Sequence, residues 1–263
     1  MRLIKSHAFG NDFLLVDERD IAAVADLPAF ARMVCERHRG IGGDGLLIFG
    51  SSSTGTTMRL LNADGSASEI SGNGLRCLAA WLAQRDGASD ITVLTGAGPK
   101  RLQLLERSGA RFTFRAAMGP PEQLTQEVIA VGGEDVAAVT LRVGNPQCVV
   151  LGEVTLERLH SLAASLAVHP RFPEGTNVEL ATVEARDRVR ILIWERGVGP
   201  TEASGTGACA AAVAAMAYGG AARAVDVVSP GGTQRVEWRE DGLYLTGWAE
   251  LVGDVQWLRG EWK

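Results

Sequence analysis

Apolar residues come in short runs of three to five, set off by clusters of Gly, Asp and Ser. Runs of this kind predict strands, and the first half contains six: Phe13–Val16, Leu46–Phe49, Met58–Leu61, Ile91–Leu94, Leu102–Leu105 and Phe112–Phe114. Two stretches carry apolar residues at helical spacing instead. Ala29–Arg39 holds Phe30, Val34 and Cys35, and Gly72–Gln84 holds Leu75, Leu78, Ala79 and Leu82. Gly119-Pro120-Pro121 reads as a linker, and beyond it the plan repeats. Strands are predicted at Val139–Val143, Cys148–Leu151, Val178–Thr182, Val189–Trp194 and Val225–Val228, and helices at Leu156–Leu166 and Gly205–Tyr218. A last strand near Val255–Leu258 is placed to return to the first half. The second helix of each half is apolar nearly all round, as in Ala208-Cys209-Ala210-Ala211-Ala212-Val213, and such a helix belongs inside a core. The expected fold is α/β of the α+β kind. Two pseudo-symmetric domains each wrap an antiparallel-rich mixed sheet round a central apolar helix. Residues 1–118, completed by a strand within 251–263, form one domain, and residues 119–250 form the other.

The repetition extends to individual residues. Ser68-Glu69-Ile70-Ser71-Gly72-Asn73-Gly74 recurs as Thr201-Glu202-Ala203-Ser204-Gly205-Thr206-Gly207, a spacing of 133 in a chain of 263. Met58-Arg59-Leu60-Leu61 falls on Ile191-Leu192-Ile193-Trp194 in the same register, and Gly10-Asn11 falls on Gly144-Asn145. Repeats of 20–50 residues indicate solenoids. A repeat of half the chain implies two similar domains facing each other across a cleft. In each copy Ser-Gly-x-Gly opens a helix: the Ser suits an N-cap, and the glycines let a ligand approach the backbone. Either start alone is an ordinary capped helix. Retention of Glu, Ser and both Gly in two copies points to a carboxylate held at paired helix N-termini.

Polar residues at turns and strand ends add to this: Asn11, Asn62, Asn145, Asn177, Glu195 and Arg196. Asn62 and Glu195 hold the same repeat position. A single Asn here is a common turn residue. As a set, though, Asn both donates and accepts, Arg forks onto a carboxylate and Glu takes an ammonium, which suits an amino acid.

Composition narrows the chemistry. The net charge is −5 with no basic block, which argues against nucleic acid as a partner. The apolar run Ala208–Ala217 is too short to span a bilayer, and the opening residues carry no secretory h-region. The four scattered cysteines read as reduced thiols of a cytoplasmic protein. His7, His38, His160 and His169 show no metal-ligand spacing, so no metal is expected. Gly40-Ile41-Gly42-Gly43-Asp44-Gly45 matches GxGxxG in form but precedes a strand, which argues against a dinucleotide site. Cys77 and Cys209 are expected to pack as small hydrophobes. Trp238, Trp248, Trp257 and Trp262 are expected to pack or to form an interface.

Together these motifs resemble the diaminopimelate epimerases, cofactor-independent amino-acid epimerases of lysine and cell-wall biosynthesis. The resemblance covers essentially the whole chain. It rests on Gly10-Asn11-Asp12-Phe13, Gly40–Gly45, Asn62-Ala63-Asp64-Gly65-Ser66 through Ser71-Gly72-Asn73-Gly74-Leu75-Arg76-Cys77, and Gly144-Asn145-Pro146. It continues at Gly175-Thr176-Asn177-Val178-Glu179 and at Glu195–Gly199 through Ser204-Gly205-Thr206-Gly207-Ala208-Cys209. It implies inversion of LL-diaminopimelate to the meso form without metal or pyridoxal phosphate, by a homodimer. In the family two cysteines do the work, one thiolate removing the Cα proton and the other thiol protonating the opposite face. It further implies that the reacting carboxylate sits on Gly72-Asn73 and Gly205-Thr206. Asn62, Asn177, Glu195 and Arg196 would grip the distal end, with Asn11 and Asn145 lining the site.

The departure is that both family cysteines are serine, Ser71 and Ser204, and that the family's usual His after Gly-Asn-Pro is Gln147. A serine hydroxyl needs an adjacent base, and neither motif contains a histidine. The sequence therefore leaves three readings: an epimerase of this type, a catalytically silent relative that binds a diamino-diacid, or another isomerase on the same fold. The grip set Asn62, Asn177, Glu195 and Arg196 argues against the third.

Overall fold

The computed structural model describes residues 1–53, 55–68, 71–96 and 98–258. Glu69 and Ile70 of the repeated motif, and Trp262, lie outside the described residues. The chain divides into two compact units, Met1–Ala116 with Gly247–Lys263, and Ala117–Thr246.

In the first unit Arg2–Ala8 and Asn11–Asp17 form a hairpin whose turn places Phe9 and Gly10 at positive φ (55° and 87°). The ring of Phe9 packs 4.5 Å from that of Trp248, holding a backbone conformation unusual for a bulky residue. Asn11–Asp17 runs parallel to Gly45–Ser52, and helix Leu27–Cys35 makes the crossover. Gly55–Asn62 pairs antiparallel with Gly45–Ser52 and then with the short Ala67–Ser68. Asp90–Thr95, Gly98–Ser108 and Arg111–Gly119 complete the antiparallel part. The end of strand Gly242–Gln256 pairs with Arg2–Ala8.

The second unit repeats this order. The hairpin is Glu134–Val143 with Asn145–Leu151, and the parallel partner is Asn177–Ala185. Arg188–Glu195 follows antiparallel and pairs with the short Gly199–Thr201. Ala224–Ser229, Gly232–Arg239 and the start of Gly242–Gln256 follow. A further strand, Glu122–Val131, pairs with Glu134–Val143.

Both faces of the parallel strands are covered, so these strands are largely apolar on both sides rather than alternating. In the first unit Leu14, Val16, Leu46 and Ile48 pack with Phe30 and Val34 of the crossover helix. The opposite face meets the central helix Gly72–Asp86, where Leu75, Leu78, Ala79 and Leu82 are buried. In the second unit Cys148, Val150, Val178 and Leu180 pack with Leu159, Leu162 and Leu166. The alanine-rich helix Gly205–Tyr218 fills the other side against Val149, Ala181, Ile191 and Ile193.

Three local expectations are corrected. The helix predicted at Ala29–Arg39 runs Leu27–Cys35. Asp26 caps its start through Ala29 N at 2.9 Å, with Pro28 in the first turn. It stops because Glu36 turns extended and its carboxylate takes the backbone N–H groups of His38 and Arg39. The predicted Leu156–Leu166 helix is a composite of Leu156–Arg158, a wide π turn at Leu159–Ala163, and Ala164–Ala167. Ser161 and Ser165 donate back to the carbonyls four residues earlier, as mid-helix serines do. Gly119-Pro120-Pro121 is no extended linker: Gly119 ends one strand at φ 81° and Glu122 begins the next.

Candidate functional site

Each unit builds the same corner. In the first, Asn11 opens one strand, Gly45 opens its parallel neighbour, and Asn62 closes the antiparallel strand directly opposite Gly45. All three therefore lie at one end of the sheet. A tight turn follows, with Gly65 N donating to Asn62 O at 2.9 Å, and Ala67–Ser68 leads toward the helix. Ser71 is the N-cap, at φ −128° and ψ 122°. Its Oγ accepts from Gly74 N at 3.1 Å, and its carbonyl accepts from Leu75 N at 2.8 Å.

The second unit matches this closely. Asn145 opens its strand and Glu195 closes another, with Val198 N donating to Glu195 O at 3.1 Å. Ser204 is the N-cap at φ −134° and ψ 131°. Its Oγ accepts from Gly207 N at 3.2 Å, and its carbonyl from Ala208 N at 3.0 Å. Capping by Ser satisfies one of the first four N–H groups of a helix. In each helix the earlier N–H groups, on Gly72 and Asn73 or Gly205 and Thr206, gain nothing from that cap and suit an anion.

The side chains around the first corner form a charged frame. Asn73 Nδ2 donates to Asn11 Oδ1 at 3.3 Å, and Asn11 Nδ2 donates to Asp44 Oδ2 at 2.8 Å. Arg37 bonds both Asp44 and Asp12 at 2.8 Å, and Lys5 bonds Asp12 and the Gly42 carbonyl. Burial would raise the Asp12 carboxyl, but the bonds from Arg37 and Lys5 prevail and hold it well below the usual carboxylate range. Asn62 Nδ2 is tied to Ser66 Oγ at 2.9 Å.

The second corner is richer in acid. Asn177 Oδ1 accepts from Arg196 N at 2.9 Å, and the Arg196 guanidinium donates to Glu174 O at 2.8 Å from an exposed position. Glu195 is pushed up by burial and pulled partly back by a hydrogen bond from the Ser204 side chain. Neither serine motif contains a histidine, yet the fold brings the Glu195 carboxyl to Ser204. The sequence could not show this, because the two residues belong to different elements. Gln234 Nε2 donates to Ser204 O at 3.3 Å from a buried position on strand Gly232–Arg239. Gln234 was also missed, and nothing in Gly232-Thr233-Gln234-Arg235 marks it.

The structure thus brings together Asn11, Asn62, Ser71, Gly72 and Asn73 in one unit, and Asn145, Asn177, Glu195, Arg196, Ser204, Gly205 and Thr206 in the other. Cys77 and Cys209 are fully buried along the central helices, and burial pushes the Cys77 thiol up to about 12. Neither is placed to act as a nucleophile. Among the described residues no helix is long and apolar enough to cross a membrane.

Two Ser-capped helix starts at matching sheet corners mark the chain as a duplicated α+β fold. A protein from Pseudomonas aeruginosa described as a predicted epimerase superposes with a TM-score of 0.75 at 18% identity, covering 98% of this chain and 99% of that one. A hydroxyproline epimerase from Agrobacterium vitis superposes at 0.74 with 15% identity, covering 97% and 90%. At such identities the likeness concerns the fold. The sequence is more specific. The diaminopimelate epimerase family model matches residues 3–124 and 139–252. Diaminopimelate epimerase of Desulforudis audaxviator is 38% identical over 278 residues, covering 98% of this chain and 100% of that protein. The Synechocystis protein of the same name is 37% identical, covering 94% and 95%. This chain belongs to the diaminopimelate epimerase family.

Proposed function

We propose that this chain binds diaminopimelate and serves the inversion of one Cα, LL to meso, without metal or pyridoxal phosphate. The observation that carries the reading is the pair of Ser-capped helix starts built to one geometry at the same corner of each unit. A substrate carboxylate is suited to N–H groups at Gly72-Asn73 and Gly205-Thr206. Asn62, Asn177, Glu195 and Arg196 supply donors, acceptors and charge for the distal amino-acid group, with Asn11 and Asn145 beside them. In this reading Ser71 and Ser204 stand where the family's thiols act. A hydroxyl holds its proton far more tightly than a thiol near pKa 8.5, so binding is retained and turnover is very slow or absent. Glu195 gives Ser204 a neighbouring carboxyl. The resemblance further implies a cytoplasmic homodimer, which sedimentation would check.

The test is exchange of the α-hydrogen of LL-diaminopimelate in D₂O, followed by NMR, beside calorimetric binding. Binding with little exchange is expected. Ser71→Cys with Ser204→Cys should raise exchange by about 10²-fold or more, and each single change should do less. Failure of the unaltered chain to bind diaminopimelate would overturn the reading. Binding with no exchange by the folded double-Cys form would favour the second reading, a silent diamino-diacid-binding relative, for which the two serines are the supporting observation.

A further inference from the structure

The two corners differ in what lies beneath the helix start. Strand pairing fixes the equivalence. Leu47 pairs with Leu60, which pairs with Ser68, and Glu179 pairs with Ile193, which pairs with Thr201. Leu47 and Glu179 therefore hold the same place. Leu15 lies opposite Leu47 and Val149 opposite Glu179, so two residues earlier Phe13 corresponds to Gln147. Beneath Gly74 the nearest neighbours from other elements are Leu47 Cδ1 and Phe13 Cζ, 3.4 and 3.5 Å from where a Cβ would stand. Beneath Gly207 the nearest is Glu179 Oε1, at 2.6 Å. An apolar pair in one half is replaced by an acid and an amide in the other, in the same fold.

Glu179 is 0% exposed and Gln147 is 1% exposed. With Glu179 protonated, the Gln147 amide has a partner at each end: its oxygen, 3.0 and 3.3 Å from the two Glu179 oxygens, accepts the acid proton, and its nitrogen end lies 3.2 Å from Thr206 Oγ1. The same nitrogen donates to Asn145 Oδ1 at 2.6 Å. The chain Glu179, Gln147, Thr206 thus runs from the sheet to the second residue of the central helix, which is also a candidate ligand contact.

We propose that Glu179 is a positioning residue of the second half-site, which through Gln147 fixes the Thr206 hydroxyl and the Asn145 amide at the helix start that takes the ligand's carboxylate. This rests on the carboxylate reading above. Glu179 acts as an acid rather than a carboxylate. Among the described residues no ion pair joins a cation to it, and burial together with the Glu195 carboxyl raises it well above the ordinary range. A buried unpaired carboxylate would be costly, and at the helix N-terminus it would oppose an incoming anion. A neutral carboxyl can hold Gln147 and leave the positive end of the helix to the ligand. A single oriented amide can set the Thr206 hydroxyl, because Gln147 is 1% exposed and has polar partners at both ends.

Three measurements on the full chain decide it. Infrared difference spectra of the unaltered chain and Glu179→Gln at neutral pH should show one protonated carboxyl lost, and no such band would overturn the proposal. Calorimetry with diaminopimelate should give Glu179→Leu about tenfold weaker binding, the scale of one oriented hydrogen bond, with Glu179→Gln within about twofold. Thr206→Val should lose as much as Glu179→Leu, and the double change no more than either. Full affinity in Glu179→Leu, or additive losses, would overturn it. If the unaltered chain does not bind diaminopimelate, the ligand reading fails. Hydrogen exchange of the Gln147 side-chain amide, slow in the unaltered chain and Glu179→Gln but fast in Glu179→Leu, then decides the positioning role. Equal exchange in all three would end it.

Discussion

Arg76 donates through Nη2 to Asn73 Oδ1, one turn back along the same buried helix face. Arg76 is 1% exposed, and its guanidinium lies 5.5 Å from the centre of the Phe9 ring. Asn73 is thereby held from behind while its amide nitrogen reaches Asn11, so an arginine in the core orients a candidate ligand contact.

Arg76→Ala should therefore cost about 2–5 kcal/mol, from the cavity and the lost charge-assisted bond together. Gly247 leaves the space that the guanidinium fills: a Cβ there would meet Phe9 Cε2 at 3.1 Å and Arg76 Cζ at 3.2 Å. Gly247→Ala should cost about 1–3 kcal/mol by crowding. Urea unfolding midpoints check both, and unchanged midpoints would show that the pocket yields.

The two helix-start glycines should respond oppositely to the same change. Gly74→Ala meets only ordinary contact at 3.4 Å and gains helix propensity, so it should be neutral or stabilising by up to about 1 kcal/mol. Gly207→Ala puts a methyl 2.6 Å from a buried carboxyl oxygen and should destabilise by about 1–3 kcal/mol. Thermal unfolding of the pair tests this, and equal shifts would contradict it.

Asp12 gives a pH signature. Its native carboxyl titrates below its unfolded value, so the stability it confers is fully present above about pH 4 and is lost as pH falls through the native value. Asp12→Asn should cost about 2–3 kcal/mol near neutrality, since Lys5 loses its carboxylate and Arg37 keeps only Asp44. The gap between the two proteins should close as pH is lowered from about 4 toward 2. A gap that stays constant with pH would refute the ionic role.

Cys35, Cys77, Cys148 and Cys209 are all buried, and burial pushes Cys35 and Cys77 up to about 12 and Cys148 higher still. The native chain should give almost no signal with a thiol reagent, and about four thiols per chain once unfolded. In Ser71→Cys the single thiol at the half-exposed N-cap should react in the native state, since a helix N-terminus lowers a thiol pKa. Rapid labelling of the unaltered native chain would contradict the burial.

Much of this was legible from the sequence because the signals were local. The central helices announced themselves through all-round apolar character, and both N-caps through Ser-Gly-x-Gly. Strand Glu122–Val131 was missed because its exposed residues Glu122, Gln123, Thr125 and Gln126 hide the pattern of an edge strand. Strand Gly232–Arg239 was missed because its buried positions include Gln234. Glu179 lies within Gly175-Thr176-Asn177-Val178-Glu179, where nothing local marks it as part of the site. Its role depends on which way a strand faces and on Gly207, 28 positions later, and no local pattern encodes that. The approach of Glu195 to Ser204 has the same origin.

The contrast of Phe13 and Leu47 with Gln147 and Glu179 bears on why the two units share one polypeptide. Two identical subunits related by a twofold axis carry every residue twice, so any side chain placed under one helix start is placed under the other. A symmetric pair of single units could be dry at both starts or acidic at both, never one of each. Joining the copies head to tail removes that constraint and lets each start be tuned alone. For a centre whose two faces call for different protonation states, covalent fusion is the step that makes unequal partners possible.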